Sequence, residues 1–96
     1  MNTYSASDGT RYTIKQRNRL MNVAKQEKID EQLISDGYTH CERCQRSSGT
    51  YFDCAHIISV KEASESGNVE LCWDKANIVI MCRECHQEYD GLNLRL

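Results

Sequence analysis

Proline is missing from this chain of 96 residues, phenylalanine and tryptophan occur once each, and glycine occurs only five times. With no low-complexity tract either, nothing marks an interdomain linker, and the length fits one small domain. A domain this small is barely stabilised by its own hydrophobic core and usually needs a staple: disulfides, a structural metal or a partner subunit. No apolar run approaches the roughly 18 residues that a membrane helix requires. The first twenty residues also lack the apolar stretch of a signal peptide, so secretion is not expected and a reducing cytoplasm is. A large positive charge is absent too, the net charge being −2. Its distribution is uneven, with residues 1 to 30 carrying +3 and residues 31 to 96 carrying −5. Any hold on phosphates must therefore come from a local patch or a bound cation, since the global field opposes it.

Cysteine, by contrast, is plentiful, with six in the chain. In a reducing compartment paired cysteines read as metal ligands before disulfides. Cys41 and Cys44 (CERC) form one C-x-x-C turn, and Cys82 and Cys85 (CREC) form another. Each turn can offer two sulfurs to one ion, so the two together complete a tetrahedral Zn²⁺ shell. The competing reading is of buried thiols or a redox pair. The 37 residues between Cys44 and Cys82 are then an insertion clamped between the two halves of the site. Cys54 and Cys72 have no partner at metal spacing and read as small core residues. His40, beside Cys41, reads as a loop histidine, because four cysteines already fill the shell.

Along the chain, residues 1–9 are small and polar and are expected to fray. From about Thr10 to Ser35 helix formers dominate. The apolar rhythm breaks between Ala24 and Ile29, so either the helix turns there or two helices meet. Asp36-Gly37 supplies a stop signal. Arg11, Lys15, Arg17, Arg19, Lys25 and Lys28 line this segment, either as a solvated face or as one that contacts phosphates. Tyr51–Val60 and Asn77–Met81 have strand character. Between them, residues 61–70 read as a polar, acidic loop turning at Gly67-Asn68. A helix begins after Cys85 and fades at Gly91. The expected division is a basic helical extension over 1–28 and a zinc-bearing domain over 29–96.

Three features need more than a zinc knuckle: His56 in the first strand, Asn77 opening the second, and His86 with Asp90 one helical turn further on. The pieces IDEQLISDGYTHCERC, DCAHIISV and LCWDKANIVIMCRECHQEYD together resemble the zinc-knuckle branch of the HNH nuclease family. The resemblance covers about Ile29 to Asp90. It implies a small zinc-stapled α+β domain with a ββα-metal core, in which an antiparallel hairpin and a helix grip one catalytic ion, preceded here by an N-terminal helical segment.

The activity that this resemblance implies is metal-dependent endonucleolytic hydrolysis of DNA. His56 would be the general base, with its ordinary pKa near 6.5 suiting it to take a proton from water. Asn77 would pin the loop or orient that imidazole. His86 and Asp90 would hold the catalytic cation, Mg²⁺ or Mn²⁺, although a histidine ligand also admits Ni²⁺ or Zn²⁺. The sequence departs from the family at Ala55, where many members carry a metal-binding Asp or His. Asp53 shares that face of the strand and either substitutes as a ligand, through a local bend, or leaves the cation to His86, Asp90 and water alone. Arg11, Lys15, Arg17, Arg19 and Lys25 are the candidate DNA contacts. The implied partners are DNA and either a second copy of the chain or a larger phage or bacterial DNA-processing complex, in the cytoplasm of a bacterial or phage-infected cell. The alternative is a zinc-stapled nucleic-acid-binding or adaptor module with little or no cleavage. A thiol redox protein is a weaker third class, because no βαβ unit accompanies the C-x-x-C turns.

Overall fold

The computed structural model describes residues 3–94. It shows a small α+β protein with two antiparallel sheets of two strands each. Strands β1 (Thr3–Ser5) and β2 (Arg11–Thr13) form a hairpin that leads into helix α1 (Ile14–Asp36). Strand β3 (Phe52–His56) and helix α2 (Val60–Glu65) follow, then two 3-10 turns at Val69–Cys72 and Lys75–Asn77. Strand β4 (Ile78–Cys82) runs directly into helix α3 (Arg83–Leu94), which continues past Gly91, where the sequence suggested fading. None of the helices described is long and apolar enough to cross a membrane.

The end expected to fray at residues 1–9 instead holds β1 and a turn over residues 3–9, while residues 1 and 2 lie outside the described residues. Tyr4 lies opposite Tyr12, and the turn is closed by a Thr10 N–H to Asp8 Oδ1 bond of 2.9 Å. Gly9 takes φ +90°, which a side chain would disfavour. The hairpin earns its order by packing. Tyr4 and Tyr12 join Met21, Val60, Leu71 and Trp73 around a buried cluster of Ala6, Ala63, Val69 and Cys72.

Helix α1 starts at a reciprocal cap, with Gln16 N–H donating to Thr13 Oγ1 and Thr13 N–H to Gln16 Oε1. It ends at Gly37, whose φ of +81° directs its N–H to the Leu33 carbonyl. No turn or second helix interrupts it, and it passes without a break through positions 28 and 29, so the expected extension and the zinc-bearing part share one helix. The broken rhythm has a simple cause: Ala24 is its only fully buried residue. Polar contacts anchor the rest, among them Arg17 Nη1 to Ser64 Oγ at 3.2 Å.

The acidic segment after Val60 is likewise not all loop. Ser59 caps α2 by accepting the Glu62 N–H, and Ala63, Ser64, Val69 and Cys72 are buried. β3 is shorter than the expected Tyr51–Val60 run and pairs with β4 in the register Phe52–Cys82 through His56–Ile78. Side chains alternate along it. Asp53 and Ala55 look toward α3 and the knuckles, whereas Cys54 and His56 look toward α1 and the Val69–Cys72 turn. The outer edge of β4 is covered by Glu42, whose N–H donates to the Ile80 carbonyl at 2.8 Å while its carboxylate accepts the Ile80 N–H at 2.6 Å.

Candidate metal centre and active site

The two C-x-x-C turns meet where the loop after α1 reaches the junction of β4 and α3. Gln32 fastens that loop with two bonds to the backbone of His40, both of 3.0 Å. One ligand atom from each of Cys41, Cys44, Cys82 and Cys85 lies within 4.8 Å of all the others. The sulfurs of Cys44 and Cys82 are 3.7 Å apart. Tetrahedral zinc with Zn–S bonds of about 2.3 Å sets neighbouring sulfurs about 3.8 Å apart, so the spacing fits that ion.

Backbone donors prepare the thiolates. Arg43 and Cys44 N–H groups approach Cys41 Sγ at 3.4 Å, and the Cys85 N–H approaches Cys82 Sγ at 3.5 Å. Burial resists ionisation of Cys41, but the backbone N–H groups of Cys44, Cys82 and Arg43 prevail and bring its pKa down to about 6. At Cys85 the bond to Cys82, burial and the other thiols push the pKa up to about 12. Four thiolates thus need a cation to coexist. The donor set and its spacing are compatible with a structural zinc ion. His40 stands outside it, with Nε2 2.7 Å from Asp36 Oδ2.

His56 closes β3 and is partly buried. Its Nε2 lies 2.8 Å from the Cys72 carbonyl oxygen. A carbonyl only accepts, so Nε2 carries the proton of the neutral ring and Nδ1 keeps the lone pair. Burial is the main influence holding the His56 pKa below its ordinary value; the Cys72 bond opposes it, and the nearby Lys25 charge reinforces it. Asn77, 6 % exposed, acts on the loop and not on the ring. Its Nδ2 donates to the Ile58 and Leu71 carbonyls at 3.0 and 2.9 Å, and its Oδ1 accepts the Ile58 N–H at 2.9 Å. It therefore ties both ends of the α2 loop together and seats the turn that carries the Cys72 carbonyl.

On the other face of β3, His86 stands between two acids. Its Nδ1 is 3.1 Å from Asp53 Oδ2, and its Nε2 is 3.2 Å from Asp90 Oδ2. Neighbouring ligands on an octahedral ion with bonds of about 2.1 Å are about 3 Å apart, so Nε2 and Asp90 can share one cation. Asp53 meets the opposite ring nitrogen. The expectation that it replaces the ligand missing at position 55 is not what this arrangement offers. Ala55 itself is 2 % exposed and packs in a cluster with Cys41, Met81 and Cys82.

Arg83, which no motif spacing singles out, also belongs here. Its Nη2 and Nε lie 3.1 and 3.3 Å from the two oxygens of Asp53. Its place within CREC was visible in the sequence, but nothing there foretold its acid partner across the hairpin. The Cys72 carbonyl, a backbone group, left no sequence signal at all. Comparisons with models of protein families, with curated proteins and with solved structures found no match.

The candidate DNA contacts divide. Arg11 bridges its own hairpin through Thr3 Oγ1 and Ser5 Oγ, and Arg17 lies 5.2 Å from the centroid of the Tyr4 ring while bonding Ser64. Lys15 and Arg19 are exposed one turn apart on α1 and make no salt bridge among the described residues. Lys25 is partly buried on the side nearer His56.

Proposed function

We propose that this protein is a metal-dependent endonuclease that hydrolyses DNA phosphodiester bonds. The observation that carries the reading is His56: a partly buried imidazole that favours its neutral form, oriented by the Cys72 carbonyl, with Nδ1 free of any hydrogen-bond partner among the described residues. Such a group is suited to general-base work. The hairpin of β3 and β4 followed by α3 supports a ββα-metal core of the HNH kind, although no family model matches the chain.

In this reading the phosphodiester lies across the C-terminal end of β3, with the base on one face and the cation ligands on the other. His56 Nδ1 takes a proton from the attacking water as the new P–O bond forms and the bond to the leaving oxygen breaks. The Cys72 carbonyl keeps the ring in place, and Asn77 keeps the carbonyl in place. A divalent ion, Mg²⁺ or Mn²⁺, held by His86 and Asp90 would stabilise the charge on the phosphate and leaving oxygen. Zn²⁺ at Cys41, Cys44, Cys82 and Cys85 is structural. Lys15, Arg19 and Lys25 are the remaining candidates to meet the backbone phosphates.

Ala55 favours a second reading, a zinc-stapled nucleic-acid-binding or adaptor module, because a buried methyl group stands where an additional cation ligand is expected. The two separate on supercoiled plasmid incubated with the zinc-loaded protein and Mg²⁺ or Mn²⁺. The nuclease reading expects nicked circles; binding without nicking in either metal supports the adaptor.

A further inference from the structure

The contacts around Asp53 form a chain: Tyr51, Arg83, Asp53, His86, Asp90. We propose that Arg83 and Asp53 are a positioning pair that fixes the orientation and tautomer of His86, turning Nε2 toward a divalent cation shared with Asp90. The cation part rests on the nuclease reading, whereas the fixing of the ring does not.

Arg83 is seated from three directions. Its backbone N–H donates to the Tyr51 carbonyl at 2.8 Å, its guanidinium carbon lies 5.3 Å from the centroid of the Tyr51 ring, and its fork spans both oxygens of Asp53. A forked arginine fixes the plane of the carboxylate it grips.

Both oxygens of Asp53 accept from the Arg83 fork, so the carboxylate faces His86 as an acceptor. With Asp53 Oδ2 at 3.1 Å, Nδ1 of His86 must therefore carry a proton. Asp90 Oδ2, 3.2 Å from Nε2, competes for a proton there in the same way, but Asp90 is the more exposed acid and none of the described arginines grips it. In the neutral ring the fixed Asp53 keeps the proton on Nδ1 and leaves the lone pair on Nε2 for a cation. A carboxylate behind a metal-binding imidazole fixes its tautomer and strengthens it as a ligand. Asp53 thus offsets the alanine at position 55 from behind the ring, without binding the cation.

The test uses the full zinc-loaded chain. Long-range ¹H–¹⁵N spectra of the imidazoles at mildly alkaline pH, with no added divalent ion, report the tautomer of His86. Mn²⁺ titration, followed by its paramagnetic relaxation, reports the cation site. The wild type should show Nδ1–H. Asp53→Asn turns an amide N–H toward Nδ1, so the ring should switch to Nε2–H, and Mn²⁺ affinity should fall about 10- to 100-fold. Zinc content and helical circular dichroism should stay unchanged. Arg83→Lys, which keeps the charge without the fork, should fall between wild type and Arg83→Gln in Mn²⁺ affinity.

An Nε2–H wild type, or an Asp53→Asn variant with unchanged tautomer and Mn²⁺ affinity, overturns the proposal whatever the DNA assay shows. Nδ1–H and Asp53-dependent Mn²⁺ binding in a protein that never cuts DNA would uphold the positioning pair and refute the nuclease reading.

Discussion

Replacing Asn77 by alanine removes three hydrogen bonds, to the Ile58 N–H and to the Ile58 and Leu71 carbonyls. Each such bond contributes a net of about 0.5–1.5 kcal/mol, so their sum is about 1.5–4.5 kcal/mol. Ile58 is 37 % exposed, and water can rehydrate its backbone groups in part, which puts the expected cost near 2–3 kcal/mol. Against a domain stability of about 5–15 kcal/mol this is a large share. Urea unfolding of the zinc-loaded wild type and Asn77→Ala measures it directly. The loss should appear as a lower midpoint with little change in slope. A second consequence is chemical. The loop that Asn77 holds carries the Cys72 carbonyl, so the residual folded variant should nick DNA more slowly than its folded fraction predicts. A destabilisation well below 1 kcal/mol, with nicking unchanged, would refute the claim that Asn77 pins this loop.

The acid limb of nicking should have its midpoint below the ordinary histidine value of about 6.5, because the folded His56 pKa is depressed. Stability linked to His56 is complete above about pH 6.5 and is lost as pH falls through the lower folded value; Lys25→Gln should raise the midpoint of the activity limb by removing a nearby positive charge. Cys82→Ser should abolish tight zinc binding and unfold the chain, seen as loss of helical circular dichroism, since metal binding and folding are one equilibrium in such domains. Lys15→Ala with Arg19→Ala should weaken DNA binding and lessen the salt slope of log K by up to about 1.8 while leaving stability intact. A slope unchanged from wild type would remove α1's outer face from the DNA surface.

The parts legible in the sequence were those set by short-range spacing. Two residues between cysteines bring a pair of sulfurs together in one local turn, and four residues from His86 to Asp90 make one helical turn, so both were readable without tertiary knowledge. The α1 stop at Gly37 was readable for the same reason. The hairpin at Thr3–Thr13 was missed although Asp8-Gly9 is a turn signal, because strands of three residues carry almost no periodicity; their order comes from packing Tyr4 and Tyr12 on a distant cluster. Helix α2 had its signal in Ser59 followed by Glu62, outweighed by the polar composition around it. At the site, alternation along β3 correctly put Asp53 on the face of Ala55, but it could not say which nitrogen of His86 the carboxylate would reach. That depended on Arg83, thirty residues away in sequence and adjacent across the hairpin.

The central claim, that His56 is the base of a DNA-hydrolysing site, is tested most directly by comparing wild type with His56→Ala on supercoiled plasmid across a Mn²⁺ titration, with DNA affinity measured in parallel. The account predicts metal-dependent nicking by the wild type, and a variant that folds, keeps its zinc and binds DNA equally well but does not nick. Equal nicking by the two proteins, or none by the wild type at any Mn²⁺ or Mg²⁺ concentration, would contradict it.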